Sequence, residues 1–368
     1  MTLQTWRFID LGKTEPYRAQ TFYEAVALAV DRGLSPSTLL VTQPASPYVC
    51  IGYHQDLEAE VDSGFCAERG LTIIRRGQGG GAAYMDHDQV FYQMAARRGA
   101  AGIPLAVKDL FARVLQVPVH VYRKLGLNAV YKPVNDVTVN GRKISGNGAG
   151  AIGSCMVLVG NIILDLDYDS MAVVLRVPDE KFRDKMAKSM RDWVTSLSRE
   201  AGHVPPVQEI KALIAEGFRE RLGLMFQSAD PTEEEEDIWR NEVLPRHRSE
   251  EWLTGTTLFR REGTERSVKI QGDVHIARVD LKKAKLIRVQ AVLDNNVIQD
   301  VSISGDFFVI PESCISQLQD TLKGCHVAET DIEDRVTGFF KDRDVEMPDM
   351  TPLDFVEALL RLRDVIIQ

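Results

Sequence analysis

Cysteine is scarce in these 368 residues, and none of the five (Cys50, Cys66, Cys155, Cys314, Cys325) stands in a CxxC pair. That spacing excludes a zinc ribbon or a thioredoxin-type motif, and an odd number of scattered thiols fits a reducing, cytoplasmic setting. The histidines are equally dispersed, with no HxH or HExxH, so the sequence offers no metal-ligand cluster. GxSxG is missing, which leaves a serine hydrolase unsupported, and the glycine run at 77–81 is neither GxGxxG nor GxxxxGK[ST], so neither standard nucleotide loop applies to it. The first residues, MTLQTWRFIDLGKTEPYRAQ, lack the apolar stretch after a basic start that a signal peptide needs. Positive charge is also in deficit. Lys and Arg number 44 against 53 Asp and Glu, a net −9, which disfavours a general nucleic-acid or membrane-surface binder. The one long uncharged run, residues 144–164, is interrupted by Gly146, Gly148, Gly150, Gly153 and Gly160. It reads as a glycine loop feeding a buried strand, not a membrane span.

What is present is an ordinary globular composition, 44% hydrophobic and 26% charged, in a chain long enough for two or three domains. TWRFIDLG predicts a strand, and Pro16 opens a helix whose Phe22, Val26, Ala29 and Val30 have helical spacing, with Gly33 as its stop. TLLVTQ, PYVCIG, LTIIRR and VFYQMAA read as strands. Residues 105–117 form an amphipathic pattern that Pro118 is expected to end. Asn140-Gly141 between alternating runs is the strongest short hairpin signal. Helices are expected at 178–194, in VQEIKALIAEGFRERLG and in PTEEEEDIWRNEVL, with the acids 233–237 as a solvated face. Beyond a polar stretch near 245–255 the pattern changes to β-hairpins and then to helices in PESCISQLQDTLKG and PLDFVEALLRLRDVIIQ. We therefore expect a domain at 1–245 and a smaller one at 256–368.

Two segments can carry chemistry. RRGQGGGAAY, from Arg75 to Tyr84, follows a strand; its glycines let backbone N–H groups approach a ligand, and its arginines suit phosphate or carboxylate. An ordinary flexible loop accounts for it equally well. NDVTVNGRKISGNGAG, from Asn135 to Gly150, sets Asp136 and Lys143 on adjacent strands beside a glycine loop. Asp136 can hold Mg²⁺ and Lys143 can neutralise charge on a reacting phosphate. Taken alone, an exposed hairpin with a solvated lysine is the simpler account. SISGDFF, near residues 302–308, looks like packing.

Together these segments resemble the lipoate–protein ligase family, of the biotin/lipoate ligase superfamily. The resemblance rests on Arg75-Arg76-Gly77-Gln78-Gly79-Gly80-Gly81-Ala82-Ala83-Tyr84, on Asn135-Asp136 through Gly141-Arg142-Lys143-Ile144-Ser145-Gly146, on KMAKSMRDWVTSL at 185–197, and on Gly305-Asp306-Phe307-Phe308. Three positions depart from the family pattern: Gln78 stands for a serine, and Met85 and Val159 stand for histidines.

The resemblance implies an α+β fold, a mixed sheet with flanking helices plus a small C-terminal α/β domain. It implies ATP-dependent activation of lipoate as lipoyl-AMP, then transfer to a lysine of a lipoyl-domain or glycine-cleavage-H-type acceptor. ATP and Mg²⁺ would be the cofactors. Lys143 would be catalytic; Arg76, Gly79, Gly80, Gly81, Ala82, Ala83, Tyr84, Asn135 and Asp136 would hold the nucleotide, with Asp136 on the metal. An apolar pocket built partly from LTIIRR and the strand around Val90 and Phe91 would take the acyl tail. The octanoyltransferases of the same fold use a cysteine; one subgroup's position falls near Leu127, and no cysteine lies between Cys66 and Cys155. The alternatives are such an acyltransferase, a non-catalytic lipoyl-domain-binding homologue and, less well matched, a biotin ligase.

Overall fold

Asn140 and Gly141 turn the chain at positive φ, 50° and 78°, and set Val139 opposite Arg142 in a two-residue hairpin. Both residue types tolerate this region, and the turn's twist matches that of the strands it joins. The computed structural model describes residues 4–100, 102–175, 188, 190–255, 266–271 and 274–366. It divides into two compact units. The first comprises 1–50, 61–76 and 83–253; the second comprises 51–60, 77–82 and 254–368.

The first unit is built on an eight-stranded mixed sheet. Its strands are β1 (Gln4–Thr14), β2 (Thr38–Pro44), β6 (Gln89–Arg97), β7 (Ala129–Lys132), β8 (Asp136–Val139), β9 (Arg142–Ile152), β10 (Cys155–Ile163) and β11 (Leu224–Ser228). A small sheet is formed by β3 (Tyr48–Ile51), β4 (Thr72–Arg75) and β5 (Ala83–Met85). The large sheet runs β11-β1-β2-β6-β10-β9-β8-β7. Its pairings are parallel at β11-β1 and β1-β2 and antiparallel from β2 onward. Helix α1 (Pro16–Asp31) starts where the Glu15 carboxylate accepts from the Tyr17 and Arg18 N–H groups. It lays Phe22, Tyr23, Val26 and Val30 against Ile9, Leu40, Ala95 and Val157 of the sheet. Each large apolar side chain fully buried here contributes about 1.5–3 kcal/mol.

The second unit places four antiparallel strands, β12 (Arg266–Gln271), β13 (Val274–Lys282), β14 (Leu286–Asp294) and β15 (Val297–Gly305), in sequence order. Helices Cys314–Leu322, Glu329–Lys341 and Pro352–Ile366 cover one face. Val279, Val289 and Ile303 from the strands meet Leu318, Val336, Phe340, Phe355 and Leu359 from the helices. The α+β class expected from the sequence is what the chain adopts.

Two expectations need correction. Pro118 does not end the helical region. One helix runs Val107–Val114, and a second, Gln116–Lys124, begins with Pro118 in its first turn. A first-turn residue has no intrahelical N–H bond to lose, so proline is tolerated there. Nor are residues 233–237 a simple solvated face. Glu235 is fully buried, pairs with the Arg7 guanidinium and accepts from Ser35 Oγ at 2.8 Å. Glu236 meets Arg18. The helix expected over 178–194 lies outside the described residues apart from 188 and 190–194, of which 188 and 190–193 are helical.

Candidate active site

Lys143 owes its direction to an irregularity that the sequence did not reveal. Along β8 and β9, Asp136 pairs with Gly146 and Val137 with Ser145, but Thr138 then pairs with Lys143, leaving Ile144 as an extra residue. In an unbroken ladder Lys143 would share a face with Val137, opposite Asp136, because side chains alternate. The bulge turns it onto the Asp136 face, as bulges beside functional groups often do. The bulged residue is itself anchored: Ile144 is fully buried, and its carbonyl accepts from Tyr122 Oη at 2.6 Å.

So placed, Lys143 Nζ lies 2.6 Å from Asp136 Oδ1. Both side chains are about a third exposed, 36% and 28%. A pair this open is worth roughly 0–1 kcal/mol, so the ammonium can exchange its carboxylate for another anion at little cost. The lysine chain passes close over Gly146, where a Cβ would stand 3.7 Å from Lys143 Cε, in ordinary contact. The neighbouring Arg142 is tied to Glu200 at 2.6 Å. Thr195 N–H donates to the Lys143 carbonyl at 2.8 Å and its hydroxyl to Glu200 at 2.6 Å, stapling residues 194–200 to the hairpin.

Behind this pair sits a buried polar network. Asn135 Nδ2 donates to the Asn147 carbonyl at 2.7 Å, and Asn147 Nδ2 returns a bond to the Asn135 carbonyl at 2.9 Å. Tyr92 Oη donates to Asn147 Oδ1. Asn161 receives Gly146 N–H at 2.8 Å and donates to Gln89 Oε1 at 2.8 Å. The fully buried bonds, Tyr92 to Asn147 and Asn161 to Gln89, satisfy groups that would cost about 1–3 kcal/mol apiece if left unpaired. Gly160 is required here, since any Cβ would run into Asn147 and the Tyr92 ring. Asn147, Asn161, Tyr92 and Gln89 were missed in the sequence. They lie on three strands, β6, β9 and β10, and only the strand order β6-β10-β9 assembles them.

The structure divides the remaining expected residues. Arg76, Ala83 and Tyr84 belong to the first unit with Lys143, Asp136 and Asn135, whereas Gly79, Gly80, Gly81 and Ala82 belong to the second. Arg76 is half-buried, with Nη1 3.5 Å from Cys50 Sγ. Arg75 is structural. Buried at 3% exposure, it donates to the Leu253 carbonyl at 2.8 and 3.1 Å. Its own carbonyl meets His247 Nδ1 and Trp252 Nε1, each at 2.9 Å. His247 Nε2 lies 3.0 Å from buried Glu24. Burial would push the Glu24 carboxyl up, but His247 and Arg246 more than offset it and hold it below its ordinary range.

In the second unit the glycine loop is packed against GDFF. Gly80 N–H donates to the Phe307 carbonyl at 3.4 Å, and a Cβ on Gly79 would collide with that carbonyl. Phe307 stacks on His54 at 4.9 Å, and Gly305 N–H donates to the His54 carbonyl at 2.9 Å. Tyr53 N–H donates to the Gln78 carbonyl at 2.9 Å. Gln78, Gly79 and Gly80 are buried and Gly81 is exposed.

The segments expected to line an acyl pocket do meet: Ile74 and Phe91 pack with Ala19, Tyr48 and Cys50 in a buried apolar cluster bordered by Met85. All five cysteines are buried and free, and burial raises every thiol; Cys155 is pushed up to about 12. Among the described residues one trio could ligate a metal, His120, Glu216 and Glu220, and it does not include Asp136. Lys124 Nζ already lies 2.8 Å from Glu216, and Arg221 Nη2 lies 3.2 Å from His120 Nδ1. His120 and Glu216 stand far apart in sequence, which is why no ligand spacing was visible.

Asp86, next to the loop, is buried, and its carboxyl is pushed up to about 6, chiefly by burial. Its folded pKa exceeds the unfolded value of 3.8, so the folded state binds more protons between those values and stability falls as pH rises through that window. Asp86→Asn is therefore expected to stabilise the protein at pH 8, by up to about 3 kcal/mol, and to change little at pH 4. Thermal melts at the two pH values check this; equal effects at both would contradict it.

Residues 15–219 match the model of the lipoyl protein ligase A/B catalytic domain, and residues 286–359 match that of the bacterial lipoate protein ligase C-terminus. The chain belongs to the lipoyl protein ligase A/B family, an enzyme family of lipoate attachment. It is 28% identical to octanoyltransferase LipM of Kyrpidia tusciae over 272 residues, 68% of this chain and 98% of that one. It is 31% identical to lipoate-protein ligase A subunit 1 of Thermoplasma acidophilum over 224 residues, 58% and 82% of the two chains. A solved bipartite lipoate protein ligase of Thermoplasma acidophilum, studied with its E2 lipoyl domain, superposes with a TM-score of 0.60 at 28% identity, covering 70% of this chain and 99% of that one. Among the described residues no helix is long and apolar enough to cross a membrane.

Proposed function

We propose that the chain is an ATP-dependent lipoate–protein ligase. The lipoate carboxylate attacks the α-phosphate of ATP, forming lipoyl-AMP and releasing pyrophosphate. The ε-amine of an acceptor lysine then attacks the acyl carbon, forming the amide and releasing AMP. Negative charge develops beside the α-phosphate in both steps, and the Lys143 ammonium serves both once it exchanges Asp136 for phosphate. Asp136, freed from that pair, offers one carboxylate. This suits Mg²⁺, which takes most of its remaining ligands from water and nucleotide phosphates. Bound there, the metal would offset phosphate charge. Arg76, Asn135 and the Gly79–Tyr84 segment are assigned to the nucleotide, and the cluster around Ile74 and Phe91 to the acyl tail. The segment 1–245 would carry both reactions and 256–368 would serve adenylation, in a cytoplasmic setting suited to five free thiols.

The observation that carries this reading is the state of the thiols. An acyl transfer through a thioester needs an accessible thiolate, and burial disfavours that form at each cysteine. Adenylation is the remaining way to activate a carboxylate in this family. The match of residues 286–359 to a lipoate ligase C-terminus points the same way. Cysteine-dependent octanoyl transfer is the second reading, favoured by the similarity to octanoyltransferase LipM. Cys155→Ser separates the two. We expect ligation within about twofold of wild type and no acyl adduct on any cysteine by mass spectrometry. A covalent acyl-thioester, lost with a cysteine, would establish the second reading.

A further inference from the structure

Trp193 is 69% exposed, and among the described aromatic residues it alone is this open. Trp6 and Trp239 are buried, and Trp252 is half-covered. Its place in the backbone is fixed. Val194, the next residue, bridges to Lys143 in parallel, its N–H donates to the Met190 carbonyl at 2.8 Å, and its carbonyl accepts from Tyr168 Oη at 3.1 Å. A bridge partner lies about 5 Å away and one residue adds 3.8 Å, so the Trp193 Cα is within roughly 9 Å of the Lys143 Cα. A second apolar side chain opens on the lysine's other flank: Val130, 44% exposed, pairs with Thr138, which pairs with Lys143. Exposed Lys132 lies two residues along the same strand from Val130, and exposed Arg191, two residues before Trp193, meets Asp169 at 3.3 Å.

We propose that Trp193, with Val130, is the docking anchor for the acceptor protein, a small lipoyl-type domain that presents its target lysine from an acidic hairpin. This rests on the ligase reading of the Lys143 site. A small acyl substrate needs enclosure, which a side chain this open does not give it. A protein acceptor must cover the rim beside Lys143 to bring its ε-amine to the acyl carbon, and that contact would bury the indole. Tryptophan is enriched among the few interface residues that dominate affinity, and losing one commonly weakens binding tenfold or more. The exposed Lys132 beside Val130 complements an acidic hairpin and hastens its encounter. Trp193 acts in recognition and touches no reacting atom.

The test uses the full chain, an unmodified recombinant lipoyl domain and the variants Trp193→Ala and Trp193→Phe. Trp193→Ala should raise the acceptor KM about tenfold, leave kcat within about threefold and leave lipoate-dependent ATP–pyrophosphate exchange unchanged. Trp193→Phe should recover part of the loss. In parallel, titrating isotope-labelled lipoyl domain by NMR should perturb its hairpin signals, with Kd about tenfold weaker for Trp193→Ala. An unchanged acceptor KM and Kd would overturn the proposal. So would a matching fall in exchange, which would place Trp193 at the adenylate. Loss of wild-type exchange with the Kd difference intact would instead overturn the ligase reading alone, because the titration needs no catalysis.

Discussion

Lys143→Ala should lose both half-reactions, each by about 10²–10³-fold, the scale for removing a group aimed at developing charge. The side chain is partly exposed and its ion pair with Asp136 is worth little to folding, so the melting temperature should move by no more than a few degrees. Lys143→Arg should rescue poorly. A guanidinium is broad and planar, and it does not place a compact point charge where the ammonium stands. Pyrophosphate exchange and single-turnover transfer from supplied lipoyl-AMP measure the two steps separately. Transfer at near wild-type rate in Lys143→Ala would remove the shared-cation argument.

Deleting residues 256–368 should abolish adenylation while sparing transfer from supplied lipoyl-AMP. The second unit has its own core, and the segments 51–60 and 77–82 pack within it. Without GDFF, Gly80 loses the Phe307 carbonyl, His54 loses its stacking partner and Glu60 loses Arg288 at 2.9 Å. The glycine loop would then pass from one held conformation to many, an entropy cost of about 1–2 kcal/mol per residue to restore on nucleotide binding. Gly79→Ala tests the same idea in an intact chain. Its Cβ would meet the Phe307 carbonyl, so it should impair adenylation selectively. Equal loss of both half-reactions in a folded Gly79→Ala protein would contradict this role for the loop.

The elements were readable where local chemistry decides them. Asn140-Gly141 fixed the hairpin, and the spacing of Phe22, Val26, Ala29 and Val30 fixed α1. The sequence also set Asp136 and Lys143 on adjacent strands. It could not supply the Ile144 bulge that turns Lys143 to the Asp136 side, because a bulge is a mismatch between two strands and neither shows it alone. The acids at 233–237 looked solvated because their partners, Arg7 and Arg18, lie more than two hundred residues away. GDFF read as packing, which it is, but its packing partner is the glycine loop, joined only by the fold of the second unit. Helix Glu329–Lys341 was passed over, since its buried Ile332, Val336, Phe339 and Phe340 are spread among charges and a glycine.

Lipoate-dependent exchange of labelled pyrophosphate into ATP by the purified chain, with no acceptor present, is the most direct test of the central claim. The account predicts exchange that needs lipoate and a divalent cation, that persists in Cys155→Ser and that disappears in Lys143→Ala. No exchange under these conditions, together with acyl transfer from a thioester donor without ATP, would contradict it.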